Sequence, residues 1–487
     1  MPDQPNFLVI MSDQHNRRYM GCAGDPTVRT PHLDALAGRG VLFENTYCGA
    51  PLCVPSRMTF LTGRHASDIE VWSNSCFLRS DIPTFAHGLG LAGYETVLGG
   101  RMHFVGPDQL HGFEKRIIGD VSGPLPGGPG PDLGHIPTGT TGQSRQSVEV
   151  SGPGRTAYQA YDVAVTEACC EFLESRDRTG ADRPFCLVTG YVLPHCPFIC
   201  PGDLYEEYHR RVELPAVPES YLDELHPAMR LWREKRGVNG LSDDAVRRAR
   251  AAYYGLVTFL DGLIGRLLET LASTAFADNT AVIYLSDHGE MAGEHGMWWK
   301  SSFYEGSAGV PMIASFPGRF GEGRRVDAVT SLLDVGPTLI DLACGDPLPE
   351  VAGRSLRCFL EGDGRAPGWS NEVFSENYSG ADEPPGRMVR QGPLKLNYYH
   401  GFDEPQLFHL DDDPHEFNDL ARGPGCAEVK GALLERVREG WHGGAIGAKL
   451  KRLTEGRRVL RRWAGVVDHD LAGHWKAPPG CNAFPEE

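Results

Sequence analysis

The chain has 487 residues, of which 41% are apolar and 23% charged. This is the composition of a globular protein with one large and at least one smaller domain, and it excludes a disordered, collagen-like or disulfide-scaffold chain. Its 47 basic and 64 acidic side chains leave a net charge of −17, so long-range repulsion argues against nucleic acid as a partner. No apolar run approaches the roughly 20 residues of a membrane helix. The first residues show neither a basic n-region nor a signal h-region, so a cytoplasmic protein without membrane attachment is expected. The 13 cysteines are scattered, and no pair of CxxC motifs suggests structural zinc. Most should be small buried hydrophobes.

In chain order, residues 7–11 form a short, wholly apolar run of the buried parallel-strand type. It switches abruptly to Ser12-Asp13-Gln14-His15. Residues 31–40 read as a helix with Pro near its start and Gly past its end, and 41–47 as a second strand. A helix over 82–92 and a strand over 94–98 follow. Residues 118–155 are crowded with Gly, Pro, Ser and Thr and lack periodicity; a lid over a cleft is one reading of such an insertion. A buried strand at 185–189 leads to Pro194-His195. Residues 243–271 form a long amphipathic helix, and the strand at 280–286 runs into Asp287-His288-Gly289. Apolar strands alternating with helices predict an α/β fold, a large, mostly parallel mixed sheet sandwiched by helices. Beyond about residue 365, short strands near 373, 388 and 394 and a helix at 427–441 predict a smaller C-terminal α/β subdomain with a short antiparallel sheet. The expected division is 1–365, 366–445 and a basic helical tail over 446–487.

Ligands gather outside the carboxyl ends of parallel strands. There the sequence places Asp13, Gln14, His195, Asp287 and His288, a set that fits an oxygen-rich metal site with an imidazole. The segment Cys53-Val-Pro-Ser-Arg57-Met-Thr-Phe-Leu-Thr-Gly63 reads as a helix whose N-terminus carries Cys53 and Arg57, a position that favours anions and low-pKa thiolates.

Cys-x-Pro-Ser-Arg followed by a short helix ending in Thr-Gly-Arg resembles the signature of the sulfatase family of the alkaline-phosphatase superfamily. Pro194-His-Cys-Pro197, Ser286-Asp-His-Gly-Glu290, Gly293-Glu-His-Gly296 and Lys300 extend the resemblance over residues 6–420. The block from Met102 to Phe113 is most like the choline-sulfatase and phosphonate monoester hydrolase branch. The resemblance implies that a formylglycine-generating enzyme converts Cys53 to formylglycine. The hydrated aldehyde then attacks sulfur, and its second hydroxyl later expels sulfate. It implies metal positions at Asp13, Gln14, Asp287, His288 and the Cys53-derived residue, with calcium or manganese expected and magnesium as a third option. Arg57 matches the residue holding the metal-side carboxylates, and His103 the histidine beside the formylglycine hydroxyl. His195 and Lys300 match the sulfate-binding and leaving-group positions. Arg101 stands where the family usually has lysine, Gln14 where many members have a second aspartate, and His288 where many have asparagine. Residues 120–134 carry no aromatic side chain, so a cage for a quaternary ammonium, and hence choline, is not expected. Trp298 and Trp299, beside Lys300, are candidate substrate contacts, and Trp72 a further apolar wall. The implied activity is hydrolysis of a small anionic sulfate ester. The alternatives are phosphonate monoester or phosphodiester hydrolysis at the same site, or a non-catalytic metal-binding member. A homo-oligomer, dimer or tetramer, is expected through the tail.

Overall fold

The computed structural model describes residues 4–123, 131–218, 220–378, 383–467 and 474–484. Strands β1 (Asn6–Asp13), β2 (Val41–Tyr47), β3 (Glu95–Gly100), β4 (Lys115–Ile118), β5 (Gly152–Pro153), β6 (Phe185–Pro194), β7 (Ile199–Cys200), β8 (Thr280–Ser286), β9 (Gly309–Ser315) and β10 (Arg324–Ser331) belong to the first part of the chain. Eight of them make one sheet in the order β10-β2-β9-β8-β1-β6-β3-β4, and β5 pairs with β7 beside it. Only β9 runs against its neighbours β2 and β8. The expected mostly parallel mixed sheet is therefore present.

Helices cover both faces. Helices α1 (Pro31–Gly38), α3 (Ala157–Thr179) and α4 (Asp243–Ala272) pack on one side through a cluster that includes Leu33, Val165, Leu173, Leu256 and Ile264. Helix α2 (Cys53–Thr62) packs on the other with Phe60, Phe85 and Leu339. Every residue of β1 is buried, as expected of a central strand covered on both faces.

The smaller unit is an antiparallel sheet of β11 (Glu372–Asn377), β12 (Gly386–Gln391), β13 (Leu394–Tyr399) and β14 (Gln406–His409), backed by helix α5 (Ala427–Arg438). A buried charge cluster joins it to the main sheet. Lys395 Nζ lies 2.7 Å from Glu305 Oε1 and 2.8 Å from Glu416 Oε1, and Arg17 also pairs with Glu305. Helix α6 (Gly443–Ala464) carries the basic stretch expected to be helical. Among the described residues, no helix is long and apolar enough to cross a membrane.

Part of the Gly/Pro-rich insertion, 124–130, lies outside the described residues. The rest is more ordered than its composition suggests, with a helical turn at Gln146–Glu149 and strand β5. The C-terminal segment straps it down. Trp475 N–H donates to the Asp120 carbonyl and its ring meets Tyr161 at 5.3 Å. Asn482 Oδ1 accepts from Ala157 N–H at 2.6 Å, and Asn482 Nδ2 donates to the Leu133 carbonyl at 2.7 Å.

Candidate active site

Three neighbouring parallel strands deliver the site. In the β1–β6 and β1–β8 ladders Asp13 is level with Pro194, and Ser12 with Ser286. Asp13, His195 and Asp287 therefore emerge side by side at one edge of the sheet. Helix α2 begins there at Cys53, so the positive end of its dipole faces the same spot.

One ligand atom each from Asp13, Cys53, Asp287 and His288 lies within 4.8 Å of all the others, and all four residues are buried. The two carboxylates divide their work. Asp13 Oδ2 and Asp287 Oδ2 take Arg57 Nη2 at 3.1 Å and Nε at 2.9 Å, while Arg57 Nη1 donates to the Arg101 carbonyl at 2.8 Å. Both Oδ1 atoms turn instead to His288 Nε2, at 3.5 and 3.6 Å. His288 Nδ1 donates to the Gly289 carbonyl at 3.0 Å, which leaves a lone pair on Nε2. Burial lowers the His288 pKa, with Lys300 acting the same way against Asp287. A neutral imidazole would then aim a lone pair at two carboxylate oxygens and a sulfur. That donor set is repulsive by itself and suits a divalent cation. Burial opposes the charge of Asp13 too, yet the Arg101 and Arg57 guanidiniums hold its pKa well below the usual carboxylate range.

Gln14 reaches the cluster through its backbone N–H, which donates to Asp287 Oδ1 at 3.1 Å. Its side chain is clamped elsewhere. Nε2 donates to Glu290 Oε2 and Oε1 accepts from Lys300 Nζ, both at 2.5 Å. Lys300 Nζ also donates to His195 Nε2 at 2.6 Å, and His195 Nδ1 donates to the Cys196 carbonyl at 2.6 Å. His195 is thus a neutral Nδ1–H imidazole, and its pKa is lowered by burial and by Lys300. Burial opposes the Lys300 charge, but the Cys53 sulfur and Asp13 outweigh it, so the ammonium persists.

Arg101 spans the other flank. Nε donates to Asp13 Oδ2 at 2.8 Å, Nη1 to Ser122 Oγ at 2.5 Å and Nη2 to His103 Nδ1 at 2.8 Å. His103 therefore carries its proton on Nε2. Left-handed backbone at Gln14 (φ 73°), His103 (φ 58°), Trp299 (φ 59°) and Ser301 (φ 67°) surrounds these groups, the kind of strain that packed sites retain.

The structure brings Asp13, Cys53, Arg57, Arg101, His103, His195, Asp287, His288 and Lys300 together, with Gln14 at their edge. Two expectations need correction. Trp298 and Trp299 are interior packing and form no exposed wall: Trp298 lies 5.5 Å from the Phe198 ring, and Trp299 lies 6.0 Å from Trp232 while its Nε1 donates to Ser147 Oγ. Trp72 is equally buried. Their apolar surface stabilises more in the core than at a wet cleft. Sequence reasoning missed Tyr158, at the start of α3. Half-buried, it meets the His195 ring at 6.3 Å, and burial keeps its phenol protonated. It also gave no role to Glu290, whose carboxyl is pushed up to about 7 by burial, although Glu290 lies inside a motif that had been noticed.

Comparison with known proteins now decides the family. The family model described as Sulfatase matches residues 5–345, and the model described as N-sulphoglucosamine sulphohydrolase, C-terminal, matches 293–441. The chain belongs to the sulfatase family. It is 38% identical over 437 residues to a choline-sulfatase of Rhizobium meliloti, covering 86% of this chain and 83% of that protein. An arylsulfatase of Clostridium perfringens is 29% identical, with 86% and 90% covered. Among solved structures, a phosphonate monoester hydrolase of Agrobacterium radiobacter superposes with a TM-score of 0.75 at 25% identity, over 89% of this chain and 94% of that one. In this sulfatase, as in its family generally, a metal and a formylglycine are the implied reactive groups, and sulfuric ester hydrolysis is the reaction class.

Proposed function

We propose that this sulfatase hydrolyses a small anionic sulfate ester at Cys53, in its formylglycine form, beside one divalent ion held by Asp13, Asp287 and His288, with the Gln14 side chain committed to Glu290 and Lys300 at its edge. The observation that carries the reading is the convergence of Asp13, Cys53, Asp287 and His288 within 4.8 Å, with Lys300 and His195 joined alongside. The ion, when bound, supplies Lewis acidity that neutralises sulfate oxygens and acidifies the nucleophile. The residues do the rest. Arg57 fixes the two aspartates so that their Oδ1 atoms face the centre. Lys300 offers N–H groups to the sulfate and to the departing oxygen, where negative charge develops, and His195 Nε2 holds the Lys300 ammonium in place. His103, with its proton on Nε2, sits with Arg101 on the other side of the bound anion. Calcium or manganese fits this mixed oxygen and nitrogen set, with magnesium as the third option. A formylglycine-generating enzyme is the partner the Cys53 conversion requires.

A second reading has its own support. The superposition on a phosphonate monoester hydrolase and the single negative charge shared by sulfate monoesters, phosphonate monoesters and phosphodiesters make those esters substrates of the same site. Assaying an aryl sulfate, a phosphonate monoester and a phosphodiester side by side decides between the readings. The sulfate ester should show the largest kcat/KM, and a value well below the other two overturns the first reading. Cys53→Ala should abolish turnover while the circular dichroism stays that of the wild type; retained activity would overturn the nucleophile assignment. We also infer an oligomer formed through α6 and the residues after it, so sedimentation should show a dimer or tetramer, and a monomer would contradict this.

A further inference from the structure

Asp120 lies just beyond β4, and its side chain is 2% exposed. Oδ2 accepts the N–H of Met102 at 3.1 Å, the N–H of His103 at 2.8 Å and Arg116 Nη2 at 3.1 Å. Oδ1 accepts the Ser122 N–H at 3.0 Å and stands 3.7 Å from Arg101 Nη1. Two consecutive backbone N–H groups thus converge on one carboxylate oxygen, at the point where His103 takes a left-handed conformation. For a residue with a Cβ that conformation is unfavourable by about 1–2 kcal/mol, so it needs a partner that specifies it. The other end of the same three-residue block is pinned independently. Arg101 N–H donates to the Gly190 carbonyl at 2.8 Å, and the Arg101 carbonyl takes Arg57 Nη1. Arg57 and β6 therefore set where the block begins, and Asp120 sets which way it turns.

We propose that Asp120 is a positioning residue for the hydrolytic reaction: it holds the 102–103 turn, and through it keeps His103 against Arg101 with the Nε2 proton facing the anion. This rests on the sulfatase reading given above. Asp120 does not touch the nucleophile itself. Burial works against its charge, but Arg101 and Arg116 keep it ionised, so it remains an acceptor on both oxygens.

Asp120→Asn tests the idea. The amide oxygen can replace only one carboxylate oxygen, and the NH2 group must face the Ser122 N–H or the guanidinium of Arg101, donor against donor. Removing the outer hydrogen-bond partner of a site residue typically lowers activity by about 10–100-fold. The expected result is a fall of that size in kcat with KM changed by less than about threefold, at an unfolding midpoint close to that of the wild type. Imidazole ¹⁵N spectra of the resting protein give a second readout. His103 should show the Nε2–H tautomer in the wild type and a tautomer mixture in the variant. If Asp120→Asn fails to fold, Asp120→Glu keeps the charge but displaces the oxygens, and the same two readouts apply. A kcat within about twofold of wild type with an unchanged His103 tautomer overturns the proposal. If the wild type cleaves none of the three esters, the sulfatase reading fails by itself, and the tautomer comparison still decides what Asp120 does.

Discussion

Arg57 is fully buried and has each of its three nitrogens committed, two to the aspartates and one to a backbone carbonyl. A lysine in its place offers a point charge without the planar fork. Arg57→Lys should therefore lower kcat by about 100-fold, the scale of a misplacement of about 1 Å at a reacting centre, and a kcat near wild type would show that the carboxylates hold themselves. His295 carries a different prediction. It is buried, is hydrogen-bonded to the Tyr221 hydroxyl through Nδ1, and stacks on Tyr304 at 3.9 Å. Burial, helped by Arg18, pushes its pKa down to about 3, whereas an unfolded histidine titrates near 6.5. Between those values the unfolded state binds the extra proton, so His295 contributes stability that is present above about pH 6.5 and lost as pH falls toward 3, at up to about 1.4 kcal/mol per pH unit. Denaturant unfolding at several pH values should show that His295→Asn, which tolerates the same left-handed φ of 55°, has a shallower acid slope than wild type. Asp13, His195, Asp287 and His288 were legible because each is a polar side chain where an apolar strand stops, Cys53 and Arg57 because they share one motif, and Arg101, His103 and Lys300 only through the family resemblance. Asp120, Glu290 and Tyr158 were not, because their roles come from contacts across the fold that no spacing reveals. Trp298 and Trp299 were misread because adjacency to Lys300 says nothing of which way an indole packs.

Strand crossings set the geometry at the next scale. A Cβ on Gly190 would lie 1.8 Å from the Arg101 carbonyl oxygen, and one on Gly100, at φ 87°, would lie 2.4 Å from the Gly190 carbonyl oxygen. Both obstacles are backbone, which cannot yield as a flexible side chain can. Gly190→Ala should therefore lower kcat by displacing Arg101 and destabilise the protein by about 1–3 kcal/mol or more, measured by kinetics and denaturant titration together. Lys395→Met leaves Glu305 and Glu416 facing each other without their cation, and should destabilise by about 3–5 kcal/mol; a smaller loss would mean that Arg17 and Arg390 suffice. The apolar runs at β1, β6 and β8 were readable as buried strands. Strand β9 was not, because Pro311 removes a ladder donor. The structure accommodates it opposite a bulge, where Glu44 and Asn45 of β2 face the single Pro311 between the Phe43–Met312 and Thr46–Val310 pairs. Helix α3 also escaped notice, since Asp162, Thr166, Cys169 and Cys170 interrupt its buried face.

For the molecule as a whole, the net charge of −17 describes the surface, while Arg57, Arg101 and Lys300 make a buried cationic lining that the average conceals. Dialysis against a chelator should abolish turnover and lower the unfolding midpoint, and adding back a divalent ion should restore both; full activity without metal would contradict the assignment. The shift follows the ratio of free ion to its dissociation constant, about 2.7 kcal/mol at a hundredfold excess. The three strands that carry Asp13, His195 and Asp287 are also adjacent rungs of one parallel ladder, with β1 bonded to β6 and β8 along its length. Their amides are deeply buried and open only when the sheet itself opens. Amide deuterium uptake should therefore be as slow in β1, β6 and β8 of the metal-free protein as in the loaded one, the difference falling on the loops beyond the strand ends. The ligands are held in place by the sheet before the ion arrives, so loading changes what the cavity contains far more than how its walls are held.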